Sequence, residues 1–229
     1  MDNNIAIETK YYPESMLWSW MSGHYVMLRK SHASQFIKDI LIEKTKIKHN
    51  RHTSNVPVKR TKDFFGEAFI ASQLETEMVD GWYNSYKWLT SERWLTGRGL
   101  EPGHKTAFYR KALMRYIGYD ALKDLQRLAA HCEKKLSISP VPPDLWIITS
   151  HKNRCVFKFI ESKLPGDRIA DGQILGLLII SNYLRAITPA QVYASVVCLS
   201  SEERKEERTV LQVRQAIRDF VKKGYCLKC

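Results

Sequence analysis

The sequence predicts an α/β fold of the α+β kind, a mixed sheet flanked by helices. Three observations carry that prediction. The stretch "PPDLWIITSHKNRCVFKFIESK" (142–163) reads as two short apolar strands joined by a polar turn. A buried helix follows at about 172–185, around "ILGLLIISNYL". "AQVYASVVCL" (190–199) then has the β-branched content of a strand.

The chain has 229 residues, enough for one good core with a small appended subdomain. Its apolar fraction of 44% is ordinary for a soluble globular protein. The longest apolar run, 174–184, is too short to span a bilayer. The N-terminus "MDNNIAIETK" lacks the basic start and apolar stretch of a secretion signal. The expected location is therefore cytoplasmic (nucleoid-associated) or nuclear, not secreted, with no membrane partner. A formal charge of +12 favours a polyanionic partner, because Lys and Arg near phosphates release condensed counterions. Five scattered cysteines do not make a disulfide framework. Cys226 and Cys229 form a lone C-x-x-C, read either as free thiols or as half of a metal site completed in an oligomer.

Along the chain, "SQFIKDILIEK" (34–44) suits an amphipathic helix. "KTKIKHNRHTSNVPVKRTK" (44–62) is basic and poor in apolar residues. It is either a solvated charge run or an arm lying on phosphates, with Lys59, Arg60 and Lys62 as contacts. "DFFGEAFIASQLETEMV" (63–79) is a helix with Phe65, Phe69, Ile70 and Leu74 near helical spacing and Asp63 as its cap. The aromatic-rich stretch 82–97 holds a strand near 86–90, and its Trp82, Tyr83, Tyr86, Trp88 and Trp94 read as core or as stacking platforms for unpaired bases. Residues 105–136 are helical with a break at "YIGYD" (116–120), and the prolines of "SISPVPP" (137–143) end that helix. "LPGDRIADG" (164–172) is a loop, and 201–223 is a surface helix. The domain division is 1–61 (N-terminal extension and basic linker), 62–200 (core with a helical insertion at 105–136) and 201–229 (C-terminal helix).

The hairpin poses a chemical question. With its turn centred on Lys152–Asn153, facing residues have numbers summing to 305, so Asp144 falls opposite Glu161. Side-chain alternation puts Glu161 and Lys163 on one face and Ser162 on the other. Two facing carboxylates repel unless a proton or a cation neutralises them. A hard divalent ion suits such a pair, and Mg2+ is often shared with substrate phosphates. A neighbouring lysine can orient a metal-bound water or stabilise charge on the phosphate. An ion pair between Lys163 and one acid at a strand end fits the same spacing. The seven histidines make no H-x-x-x-H or H-E-x-x-H pattern, and neither a phosphate-binding G-x-x-x-x-G-K-[ST] loop nor a G-x-S-x-G elbow occurs.

"PD" followed after a hairpin by "E-S-K" resembles the PD-(D/E)XK nuclease motif. The continuation "FIESKLPGDRIADGQ" (159–173) is similar to the VRR-NUC branch, whose pattern runs E-V-K-x-P-x-D-x-L-S-x-x-Q. Glu161, Lys163, Pro165, Asp167 and Gln173 match, with Ile169 for Leu, Ala170 for Ser, and Ser162 at a usually apolar position. The resemblance covers residues 142–199. It implies a restriction-endonuclease-like αβββαβ core, with Asp144 and Glu161 as metal ligands, the Ser162 carbonyl as a third, and Lys163 as the catalytic lysine. Gln173 is expected in the first turn of the next helix, facing the site. A further carboxylate is expected from the first core helix: Glu67, with Glu75 and Glu77 as rivals. Arg168 is a phosphate contact or a solvated loop residue.

The expected function is a Mg2+-dependent endonuclease (Mn2+ substituting) acting on DNA, with RNA not excluded. Cutting is expected to be structure- or partner-directed, by a homodimer or with partner proteins. The alternatives are a non-catalytic nucleic-acid-binding or assembly subunit of the same fold, and the nuclease subunit of a mobile-element or defence complex.

Overall fold

A computed structural model describes residues 5–47, 62–74, 80–83, 89–90, 114–151 and 154–223. The elements run β1 (Ile5–Tyr12), α1 (Glu14–Met21), α2 (Val26–Arg29), α3 (Gln35–Ile47), α4 (Phe65–Ser72), β2 (Asp80–Tyr83), α5 (Tyr119–Leu136), β3 (Leu145–His151), β4 (Arg154–Lys163), α6 (Asp171–Ile187), β5 (Gln191–Ser201) and α7 (Arg208–Lys222). From α4 to β5 the order is helix, three strands, helix, strand, with α5 inserted between β2 and β3. This is the αβββαβ succession that the resemblance implies, built as a mixed α+β architecture.

The five strands form one sheet in the order β1-β5-β4-β3-β2. β2, β3 and β4 pair antiparallel, whereas β5 runs parallel to both β4 and β1. The hairpin register is the one derived above. Every pair from Leu145–Ile160 to His151–Arg154 keeps the sum of 305. The turn residues Lys152 and Asn153 themselves lie outside the described residues.

Alternation explains the two faces of β4. Phe157, Phe159, Glu161 and Lys163 point to one side, and Lys158, Ile160 and Ser162 to the other. α6 is apolar all round, from Ile174 to Ile180, because it is buried along that whole length. α5 is the opposite case. Leu122, Leu125, Ala129 and Cys132 form one buried stripe, and Gly118 with φ +90° breaks the chain just before it. The break expected at 116–120 is thus at Gly118.

Two expectations need correction. Asp63 does not cap α4. Phe64 is the cap residue, in a left-handed conformation and without a side-chain cap bond, and the helix begins at Phe65. The helix also ends at Ser72 rather than near 79, with Gln73 as its C-cap. Phe65, Phe69 and Ile70 are buried as expected, and Leu74 packs against the core beyond the helix end. A strand lies at 80–83 and Leu89 and Thr90 lie in a turn; residues 86–88 of the strand expected near 86–90 lie outside the described residues. Residues 84–88 and 105–113 lie outside the described residues. The N-terminal segment enters the fold through β1, an edge strand beside β5, and Tyr12, Trp20, Leu28 and Ile37 join the same core. Among the described residues, no helix is long and apolar enough to cross a membrane.

Candidate active site

Three close approaches of backbone deliver the site residues. First, the proline-rich segment before β3 lies on the first turns of α6. Val141 N–H donates to the Gly172 carbonyl at 2.8 Å. A Cβ at Gly176 would overlap the Val141 carbonyl, so only glycine lets that segment run so close. It sets Asp144 at the entrance to β3. Second, Asp144 Oδ2 accepts the Ser162 N–H at 2.9 Å, which ties the acid to the facing strand. Third, α4 lies against β4 at Gly66, where a Cβ would overlap Ser162 Oγ and crowd Leu199. This places Glu67, in the first turn of α4, within electrostatic reach of Asp144, Glu161 and Lys163.

Glu161 and Lys163 lie at the end of β4, and both are buried, at 1% and 6% exposure. Lys163 Nζ donates to Glu161 Oε1 and to Gln173 Oε1, each at 3.0 Å. Gln173 Nε2 donates to the same Glu161 oxygen, and Gln173 Oε1 also accepts the Ala170 N–H at 3.0 Å. The Gln173 amide therefore bridges the acid and the amine while holding the start of α6. Glu161 Oε2 is buried without a donor. Its neighbour Asp144 is another acceptor, so a bond between the two acids requires a proton on one of them.

The electrostatics follow from that crowding. Loss of water is the largest influence on all three acids. Glu67 is pushed up to about 8, first by burial and then by the charge of Asp144, with Lys163 opposing. Glu161 is held well above the carboxylate range by burial and Asp144, again with Lys163 opposing. Asp144 is also raised by burial, although the Ser162 N–H bond, Lys163 and a shared hydrogen bond with Glu161 pull it down. Asp167 adds negative charge from the next loop, where its Oδ2 accepts the Leu164 N–H at 2.9 Å.

Of the residues singled out in the sequence, the structure brings together Asp144, Glu161, Lys163 and Gln173, with Glu67 within electrostatic reach of the acids and the amine. Ser162 contributes through its backbone N–H, and its side chain turns to the opposite face against Gly66. Arg168 and Lys62 are exposed. Lys59, Arg60, Glu75, Glu77, Cys226 and Cys229 lie outside the described residues. The sequence reading did not single out Gly66 or Gly176; glycine inside a helical pattern was the available signal.

The donor set can be tested against a divalent cation. Asp144, Glu161 and Glu67 are hard oxygen donors crowded near one amine, and Glu161 Oε2 is an orphaned buried acceptor. Those features fit Mg2+ or Mn2+. Among the described residues, no three His, Cys, Asp or Glu side chains are already gathered into a metal-holding group. Asp144, Glu161 and Glu67 are the residues that would hold such an ion.

A scan against protein-family models finds no match to this chain, and a search of curated proteins finds no significant similarity. The resemblance carried by residues 142–173 is a matter of motif residues alone.

Proposed function

We propose that the protein is a metal-dependent nuclease that hydrolyses phosphodiester bonds in DNA. The observation that carries this reading is Glu161. It is fully buried, bonded through one oxygen to Lys163 and Gln173, and left without a donor on the other beside a second acid. A buried carboxylate pair of this kind costs stability in the metal-free chain, and a function that uses its charge explains it. The fold succession and the position of Gln173 in the first turn of α6 support the same reading.

In the proposed reaction Asp144, Glu161 and Glu67 hold the cation, and Ser162 keeps Asp144 in place. The ion supplies charge neutralisation at the phosphate and a water of lowered pKa. Lys163 sits beside these acids as a donor to the attacking water or to a phosphate oxygen. Gln173 positions the Lys163 amine through its carbonyl oxygen. Cleavage leaves 5′-phosphate and 3′-hydroxyl ends. The sequence supplies no obvious base-reading module, so the reading is structure- or partner-directed cutting rather than a recognition sequence.

The test is a panel of single-stranded, duplex, flap and junction DNA, with RNA counterparts, incubated with Mg2+ or Mn2+. Metal-dependent cutting that disappears in Glu161→Gln supports the proposal. Absence of cutting on every substrate would leave a nucleic-acid-binding subunit of the same fold.

A further inference from the structure

We propose that the solvent face of α7 is a phosphate-binding strip for duplex nucleic acid, set at a fixed position beside the site. The proposal deepens the nuclease reading and rests on it for the reaction that the strip would serve. Arg214, Arg218 and Lys222 stand at i, i+4 and i+8, one above another on a single exposed face. Arg208 is exposed at the start of the same helix. Among the described residues, none of these four cations has a carboxylate within ion-pair distance. Glu206 and Glu207 border the same cavity as Arg214 without pairing with it. Asp219, the acid of the helix, accepts the Gln215 amide at 2.8 Å.

An uncompensated row of this kind is not a stability device, since like charges at i, i+4 on a helix repel. It does fit a polyanion. Four residues of helix rise by about 6 Å, so the three cations cover about 12 Å. A duplex presents about one negative charge per 1.7 Å of axis over that length. The apolar face of α7 is already spent on the core, through Val210, Val213 and Phe220. Leu211 and Val221 are exposed on the same helix, but they stand ten residues apart, and two separated side chains do not make the continuous apolar face that a lipid surface needs.

The strip is tied to the loop that leaves Lys163. Gly166 N–H donates to Thr209 Oγ1 at 3.2 Å, and Lys223 Nζ pairs with Asp171 at 2.9 Å. The exposed Arg168 belongs to that same loop. A duplex held on α7 is thus held in register with the segment that carries Lys163, Asp167 and Gln173.

The experiment measures binding of the full chain to a short labelled DNA duplex across a NaCl series in EDTA, so that cutting does not intervene. Arg214→Gln/Arg218→Gln/Lys222→Gln should lower the slope of log affinity against log salt by about 2–3. Affinity at low salt should fall by about tenfold or more. Arg214→Lys/Arg218→Lys, which keeps the charge, should retain the slope. Arg127→Gln/Lys134→Gln/Lys135→Gln, three exposed cations on α5, removes the same charge elsewhere and should leave the slope near that of the parent. An unchanged slope in the α7 variant, or an equal fall in the α5 variant, overturns the strip. Loss of binding to phosphatidylserine vesicles with duplex binding intact also overturns it. The two proposals separate cleanly. A parent that cuts DNA while the α7 variant binds unchanged leaves the nuclease and removes the strip. A parent that binds through α7 and cuts nothing does the reverse.

Discussion

The Ser162 backbone N–H donates to Asp144 Oδ2 at 2.9 Å, across the open end of the β3–β4 hairpin. That bond ties an acid just outside one strand to the middle of the Glu161–Ser162–Lys163 triplet on the other. Asp144→Asn keeps an oxygen for the bond and removes one negative charge from the cluster. Metal-dependent cleavage should fall by about a thousandfold or more, since a proposed ligand carboxylate is lost. Thermal stability in chelator should rise, by about 2–4 °C for each kcal/mol of relieved repulsion in a chain of this size. Calorimetry beside a cleavage assay checks both halves; a variant that is less stable and still active contradicts the assignment.

The crowded acids also set a pH dependence opposite to the usual acid sensitivity. Glu67 rises from its ordinary 4.5 to about 8, and Glu161 and Asp144 shift in the same direction. The folded chain therefore binds more protons than the unfolded chain across that interval. Stability from these groups is fully present below their unfolded pKa and is lost as pH rises through the folded values. In chelator the melting temperature should fall steadily between about pH 5 and pH 8. Glu67→Gln should flatten part of that slope, and a melting profile as steep in this variant as in the parent would show that Glu67 is not in the cluster.

Lys163→Met removes the amine that faces Glu161 Oε1. A buried pair broken from one side often costs about 3–5 kcal/mol. Here Glu161 can take up a proton, because burial and Asp144 already raise it, so the expected loss is smaller, about 1–3 kcal/mol. Cleavage should disappear, while duplex affinity stays within about threefold because the amine is buried away from the surface cations. Filter binding and a cleavage assay on the same preparation decide this, and residual cutting at the parent's rate would remove Lys163 from the chemistry.

Gly66→Ala tests how α4 is seated. Alanine gains about 1 kcal/mol in helix propensity over glycine. Overlap with Ser162 Oγ and Leu199 costs about 1–3 kcal/mol, so net destabilisation is expected. Ser162→Ala removes the overlapping hydroxyl. The double variant should recover most of the loss, giving a coupling of about 1 kcal/mol or more in a denaturation cycle. Additive losses would mean that Gly66 and Ser162 do not meet.

Much of this site was legible in the sequence because it is local. The hairpin sets its own register through a short turn and alternating side chains, which is why Asp144 could be placed opposite Glu161. Gln173 follows Lys163 by a short loop and a helix start, so its position was also within reach. The strand β1 was not. Its alternation in "IAIETKYY" is broken at Thr9, a polar residue where an apolar one is due, and its partner β5 is far away in sequence. The α4 start was misread for a related reason. Asp63 has the right chemistry for a cap, but the Phe64 backbone turns left-handed and packs the helix by Gly66 on β4. Tertiary seating, not local capping, decides where that helix begins.

The most direct measurement is anomalous scattering from crystals soaked in Mn2+. The account predicts one or two peaks coordinated by Glu161 Oε2 and an Asp144 oxygen, with Glu67 drawn in and Lys163 alongside, and no peak in Glu161→Gln crystals. Well-occupied Mn2+ elsewhere on the chain, with Glu161 still bonded to Lys163 and Gln173 alone, would contradict it.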